Sequence, residues 1–150
     1  MSRTKPALGP RERMTYPSPS TLVSPIVLRD AIRQAWVRET SADPSGWTEA
    51  NPAWGQCAVT ALIVQDFLGG ELLRCEVNST SHYWNKLSSG DELDLTSHQF
   101  GPQFRPGRSE LRSRGYVLGF ADTVTRYQRL SRSVRRMLRR WVPTTAMDHA

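Results

Sequence analysis

Apolar and polar positions alternate with distinct periods along this chain and divide it into recognisable elements. Leu28, Ile32, Ala35 and Trp36 fall at i, i+4, i+7 and i+8 and form one apolar face. Ser24 before Pro25 supplies a cap with proline at the first helical position, so a helix is predicted from there to about Glu39. Asp43-Pro-Ser-Gly46 is a turn, and Trp47 to Gly55 a loop. Ala58 to Val64 is a continuous apolar run with one Thr. It extends to Phe67-Leu68 and stops at Gly69-Gly70, which predicts a buried helix with Cys57 in its first turn. Glu71 to Val77 alternates and predicts a strand.

Ser81 to Leu87 and Glu92 to Thr96 flank Ser88-Ser-Gly-Asp91 and read as a β-hairpin. Gln99 to Arg114 is polar, with Gly and Pro, and reads as a loop leading to a tight turn at Gly115. A last helix starting at Thr123 or Thr125 carries one apolar stripe: Tyr127, Leu130, Val134, Met137, Leu138 and Trp141. The fold class expected is α+β, a small antiparallel sheet packed against helices with the Cys57 helix central. Residues 1–20, rich in Pro, Ser, Arg and Lys without apolar periodicity, read as a disordered arm. Residues 21–142 form a single domain ending in a basic amphipathic helix, and 143–150 a flexible tail.

Charge changes this picture only at the ends. The formal net charge is +6, with most of the excess in the two terminal segments. Seven arginines lie between Arg126 and Arg140. Such a helix can meet nucleic acid or an anionic membrane. The core spacing of its stripe favours packing on the domain with the arginines solvated. No apolar run approaches the ~18 residues of a membrane span. The basic N-terminus lacks the apolar run of a signal peptide. Two cysteines without metal-type spacing suggest neither a disulfide framework nor a metal site. A reduced cytoplasm is the expected location, with no cofactor or metal. Asn78-Ser79-Thr80 matches a glycosylation sequon and is read as chance.

The candidate chemistry centres on Cys57. Unpaired N–H groups and the dipole at a helix start favour thiolate, the nucleophilic form. His82 follows 25 residues on (82 − 57), after one predicted strand, and is the natural base. Asp94 shares its hairpin face only if the connecting loop is odd in length. A three-residue loop Ser88-Ser89-Gly90 meets that condition and sets His82 diagonal to Asp94, with the carboxylate expected beside the imidazole Nδ1. Backbone N–H groups at the helix start would form an oxyanion hole. Gly55 would let a substrate carbonyl approach, and Gln56 is a weaker side-chain donor. Trp54, Trp84 and Asn85 are candidate cleft residues, and Trp47 a further aromatic. Each part also has a structural reading: a buried thiol, a satisfied strand histidine, a solvated aspartate, aromatic packing. Cys75, in mid-strand, is read as a small buried hydrophobe. His98 is a rival base at a loop entrance.

From Trp47 to Phe100 the chain resembles the YunG-like family of small bacterial proteins. The residues that carry the resemblance are Asn51-Pro52-Ala53, Gly55-Gln56-Cys57-Ala58-Val59-Thr60-Ala61-Leu62, Gly69-Gly70-Glu71, His82-Tyr83-Trp84-Asn85, Asp94-Leu95-Thr96 and Gln99-Phe100. This resemblance implies a group more than an activity. In order and elements, Cys on a helix start followed by His and Asp on adjacent strands is similar to the papain-like and transglutaminase-like superfamily, an analogy of architecture. The function expected is cysteine-dependent acyl transfer through a thioester, with a peptide, amide or protein substrate; peptidase, amidase, deamidase and transglutaminase all fit. The alternative is a non-catalytic binding module of the same fold, with an anionic partner at the basic helix.

Overall fold

The computed structural model describes residues 23–141. The disordered arm expected over 1–20 and the flexible tail over 143–150 lie outside these residues. The first helix, α1 (Pro25–Ala35), follows Ser24, whose side chain makes no capping hydrogen bond, and buries Leu28, Ala31, Ile32 and Ala35. It stops four residues short of the expected Glu39. Trp36 turns extended there, and its indole N–H donates to Thr60 Oγ1 at 3.0 Å inside the core. A short 3-10 turn over Arg38–Thr40 follows.

Helix α2 (Cys57–Leu68) buries every residue from Ala58 to Val64, so it has no solvent face over two turns. A sheet covers one side of it, and α1 and the last helix cover the other. Strands β1 (Glu71–Val77) and β2 (Thr80–Lys86) pair antiparallel, Cys75 opposite His82 and Leu73 opposite Trp84. Asn78 and Ser79 form the two-residue turn between them, both with positive φ (49° and 65°), the backbone that suits a tight hairpin. The first two sequon residues therefore form the turn itself, and Thr80 opens β2.

β3 (Glu92–Leu93) pairs with β2, and β4 (Glu110–Arg112) with β1, in the order β3-β2-β1-β4. β4 lies where a loop is expected. It has three residues, two of them exposed, on a sheet edge, so it carries no apolar alternation to read. The hairpin strand expected to reach Thr96 ends at Leu93. Beyond it the Thr96 N–H bonds the Asp94 carboxylate at 3.1 Å instead of a neighbouring strand. Ser113 caps a short α3 (Arg114–Leu118), where only a turn is expected, by accepting from the Tyr116 N–H.

Helix α4 (Ala121–Trp141) begins two residues before Thr123. Its Leu130, Val134 and Leu138 join Leu28, Ile32, Val59 and Ile63 in the main core. Trp141, placed on the same stripe by spacing, is 40% exposed. Arg114 ties α3 to α2 and α4, pairing with Asp66 at 2.7 Å and donating to the Tyr127 hydroxyl at 3.0 Å. The class is thus α+β, with a four-stranded antiparallel sheet and α2 at the centre. No helix among the described residues is long and apolar enough to cross a membrane.

Candidate active site

The two faces of β2 separate the site from the core. Tyr83 joins Leu72, Ala58, Ala61 and Leu62 on the α2 side. His82 and Trp84 project to the other face, with Leu73 and Cys75 opposite them in the ladder. That second face is covered by the chain that follows Asp94.

Register brings His82 and Asp94 together. Asn85 pairs with Leu93 and Lys86 with Glu92. Leu87 N–H donates to the Asp91 carbonyl at 2.8 Å, which leaves the loop Ser88-Ser89-Gly90, with Gly90 at φ 91°. Extending this pairing sets His82 opposite Thr96, one diagonal step from Asp94. His82 Nε2 donates to Asp94 Oδ2 at 2.6 Å. The carboxylate thus meets Nε2, not the expected Nδ1. A side chain reaching back along the diagonal meets the far nitrogen of the ring. The other carboxylate oxygen, Oδ1, accepts from the Thr96 N–H at 3.1 Å and its hydroxyl at 3.4 Å, so Asp94 is held on both oxygens.

Nδ1 of His82 is buried and makes no hydrogen bond. The Cys57 sulfur lies at the start of α2 and directs its proton to the Ser81 carbonyl, 3.7 Å away, at the residue before His82. Burial pushes the His82 imidazole down. The Asp94 hydrogen bond, then the neighbouring Cys57, outweigh it and hold the group up at about 9. The ring is boxed by aromatics: Trp84 stacks on it at 5.5 Å, and Phe100 and Phe104 meet it at 5.0 and 5.6 Å with near-perpendicular planes. A π-face such as that of Trp84 favours the charged imidazolium.

The loop before Cys57 and the segment after Asp94 are stitched together by Gln99. Its Oε1 accepts from Gly55 N–H (3.1 Å), its carbonyl from Asn51 Nδ2 (3.1 Å), and its Nε2 donates to the Thr96 carbonyl (3.0 Å). Gln99 and Thr96 are the positioning residues that reading for nucleophile and base passes over. The signals were the polar residue two after Asp94, which suits a local carboxylate turn, and the Gln99-Phe100 block.

Several expected cleft residues have other work. Gly55 has φ 72°, and a Cβ there would sit 2.3 Å from Ser41 Oγ. The close approach it permits is that of the chain's own 41–43 segment, not of a substrate carbonyl, and its N–H is taken by Gln99. Gln56 is fully buried, and its Nε2 donates to the Val37 carbonyl at 3.0 Å, so it braces the loop rather than facing a cleft as a donor. Asn85 points to the α2 side and donates to the Ala61 carbonyl at 2.9 Å, away from His82. Trp54 anchors the loop through Asp43 (3.0 Å) and meets the Phe100 edge. Trp84 is buried and touches the His82 ring. Trp47 donates to the Pro52 carbonyl at 3.0 Å.

Cys75 is buried, and burial pushes its thiol up, which keeps it protonated. His98 is largely exposed, lies 6.0 Å from the Trp36 ring, and is pushed down by partial desolvation and then by the Arg33 charge. It lines an open cleft of about 420 Å³ with Arg33, Trp36, Pro52, Ser97 and Asp94. That cleft reaches the carboxylate end of the His82–Asp94 pair. Neither Cys57 nor His82 is in its wall. Among the described residues, no group of three or more His, Cys, Asp or Glu side chains could hold a metal ion.

The family model for the YunG protein matches residues 24–139, which takes in every element from α1 into α4. The chain belongs to the YunG protein family. It is also similar to "Uncharacterized protein YunG" from Bacillus subtilis (strain 168), at 42% identity over 69 residues. That match covers 46% of this chain and 56% of the relative, so the chain spans little more than half the length of the relative it matches. Comparison with solved structures returns no match.

Proposed function

We propose that this protein is a cysteine-dependent acyl-transfer enzyme, with Cys57 as nucleophile, His82 as acid and base, and Asp94 as the group that orients His82. The observation that carries the reading is the division of labour on one imidazole. Asp94 occupies Nε2 at 2.6 Å, while Nδ1 is left without a partner on a ring that Asp94 and Cys57 together raise to about 9. A buried, unpaired nitrogen costs about 1–3 kcal/mol, a cost that a working group can justify. At about 9 the ring is charged at neutral pH, so Nδ1 carries a proton, and holding a Cys57 thiolate and later protonating the leaving amine is work it can do.

Rotation of Cys57 away from the Ser81 carbonyl turns its sulfur toward the neighbouring His82 Nδ1–H. Loss of the thiol proton, to the small neutral fraction of His82 or to solvent, gives a thiolate–imidazolium pair. The thiolate attacks the acyl carbon, the S–C bond forms, and the carbonyl π electrons move to oxygen. No side chain caps α2, so the N–H groups of its first turn are free of side-chain partners and face the developing oxyanion. The intermediate collapses, the C–N bond breaks, and Nδ1–H protonates the leaving amine. Water or an amine then attacks the thioester and gives its proton to Nδ1, the C–S bond breaks, and Cys57 leaves as thiolate beside the imidazolium.

The order of elements supports a place near the papain-like hydrolases: thiol on a central helix start, imidazole on the sheet, carboxylate just past its edge strand. A second reading, a binding module that keeps this fold, is favoured by one observation. His82 is fully buried beneath Phe100 and Phe104, and the cleft stops at Asp94.

Iodoacetamide labelling separates the two. Followed by mass spectrometry from about pH 5 to 10, Cys57 is expected to label faster at neutral pH than in His82→Ala, while Cys75 stays slow in both. A Cys57 labelling profile identical in the two proteins rules out the enzyme reading.

A further inference from the structure

Among the described residues, positive charge is concentrated on one helix. In α4, seven arginines stand against the single Asp122, which gives the helix +6, the formal net charge of the whole chain. Two of the seven turn inward. Arg126 is buried and pairs with Asp122 at 2.8 Å and the Thr40 carbonyl at 3.2 Å, and Arg135 lies over the Phe67 ring at 5.0 Å. The other five, Arg129, Arg132, Arg136, Arg139 and Arg140, are exposed. Their spacing of three and four residues keeps them on one side of the helix. No acidic residue follows Asp122 on α4.

We propose that this outer face of α4 binds the phosphate backbone of nucleic acid without regard to base sequence. From Arg129 to Arg140 the stripe runs about 17 Å at the helical rise. A duplex carries one negative charge per about 1.7 Å of axis, so the stripe lies against some ten phosphates' worth of charge. The cations are all guanidinium, whose planar fork matches phosphate oxygens in pairs, and α4 contains no lysine. Contacts of this kind position a protein on nucleic acid and carry no base information. A membrane surface is the poorer fit. An interfacial helix inserts its apolar face, and here Leu130, Val134 and Leu138 are at most 6% exposed because they form the core.

The test is fluorescence anisotropy of the full chain with labelled duplex DNA about 20 base pairs long, at about 50 to 200 mM salt. Four to five engaged arginines predict a slope of log K against log salt near −4, a loss of about 150- to 500-fold across that range. Arg129→Gln/Arg132→Gln/Arg136→Gln should flatten the slope by about 3. Arg139→Gln/Arg140→Gln should flatten it by about 2 and disturbs only the helix end. Glutamine keeps helix propensity, and far-UV circular dichroism checks the fold. Two duplexes of unrelated sequence should bind alike. The proposal is overturned by no binding at the lowest salt, or by unchanged slopes in folded variants. It is also overturned by strong sequence preference, or by stripe-dependent binding to phosphatidylserine vesicles in place of DNA.

Discussion

His82 Nε2 and Asp94 Oδ2 lie 2.6 Å apart across a hairpin whose loop holds three residues. Because the pair is buried on the imidazole side, its ionisation is coupled to folding. Burial opposes the charge, but Asp94 and then Cys57 raise the group from 6.5 to about 9. A raised imidazole lends stability that is complete below its unfolded value and lost as pH rises through the folded value. Stability from this pair is therefore full below about pH 6.5 and gone above about pH 9.5, a difference on the order of 3 kcal/mol. Urea unfolding across that window should show the decline in the native protein and a much flatter profile in Asp94→Asn. Parallel profiles in the two proteins would contradict the coupling.

Gly55 and Gly90 both hold positive φ, at 72° and 91°, but in different surroundings. A Cβ added at Gly90 would have nothing within 4 Å, whereas one at Gly55 would meet Ser41 Oγ and the Ala42 nitrogen at 2.3 and 2.9 Å. Gly90→Ala should lose only the left-handed backbone preference, about 1–2 kcal/mol. Gly55→Ala adds displacement of the 41–43 backbone and should lose at least about 2 kcal/mol more. Denaturation midpoints of the two variants measured together decide this; equal losses would mean the loop yields freely.

Much of this arrangement was legible in the sequence because it depends on period and parity. The apolar run after Cys57 predicted a helix with no solvent face, and α2 has none over Ala58–Val64. Loop parity predicted that His82 and Asp94 share a face, since side chains alternate with period two. What could not be read depends on single hydrogen bonds between distant segments. Trp36 ends α1 by bonding Thr60, 24 residues away, and no local signal marks that. Gly55 and Gln56 sit beside the thiol in sequence, yet Gln99 accepts from the Gly55 N–H and the Val37 carbonyl from the Gln56 amide, both from other segments. β4 escaped because a three-residue edge strand has too few positions for a pattern.

Asn85 offers a contrast with its neighbours on β2. It is 2% exposed and donates to the Ala61 carbonyl in the middle of α2 at 2.9 Å, so it docks helix on sheet. Asn85→Ala removes that bond and leaves a small void, which should cost about 1–3 kcal/mol. Its side chain is on the face away from His82. The pH profile of Cys57 alkylation should therefore stay as in the native protein while the melting temperature falls by several degrees. A changed alkylation profile at native-like fold would move Asn85 into the site.

The burial and the charge of His82 can be separated with diethyl pyrocarbonate, which acylates neutral imidazole. His98 is largely exposed and is pushed down by partial desolvation and then by Arg33, so at about pH 7 it is neutral and reachable and serves as the internal reference. His82 is protected twice: it is fully buried beneath Phe100 and Phe104, and at about 9 it is charged in all but about 1% of molecules. Phe104→Ala opens the ring but leaves the charge, so His82 should remain much slower than His98. Asp94→Asn lowers the charge but leaves the cover, with the same outcome. Only the double variant should bring His82 within about tenfold of His98, a rise of up to about 100-fold from the charge alone. Peptide-level mass spectrometry reads both sites in one sample. Full reactivity in either single variant would show that one of the two protections is not there.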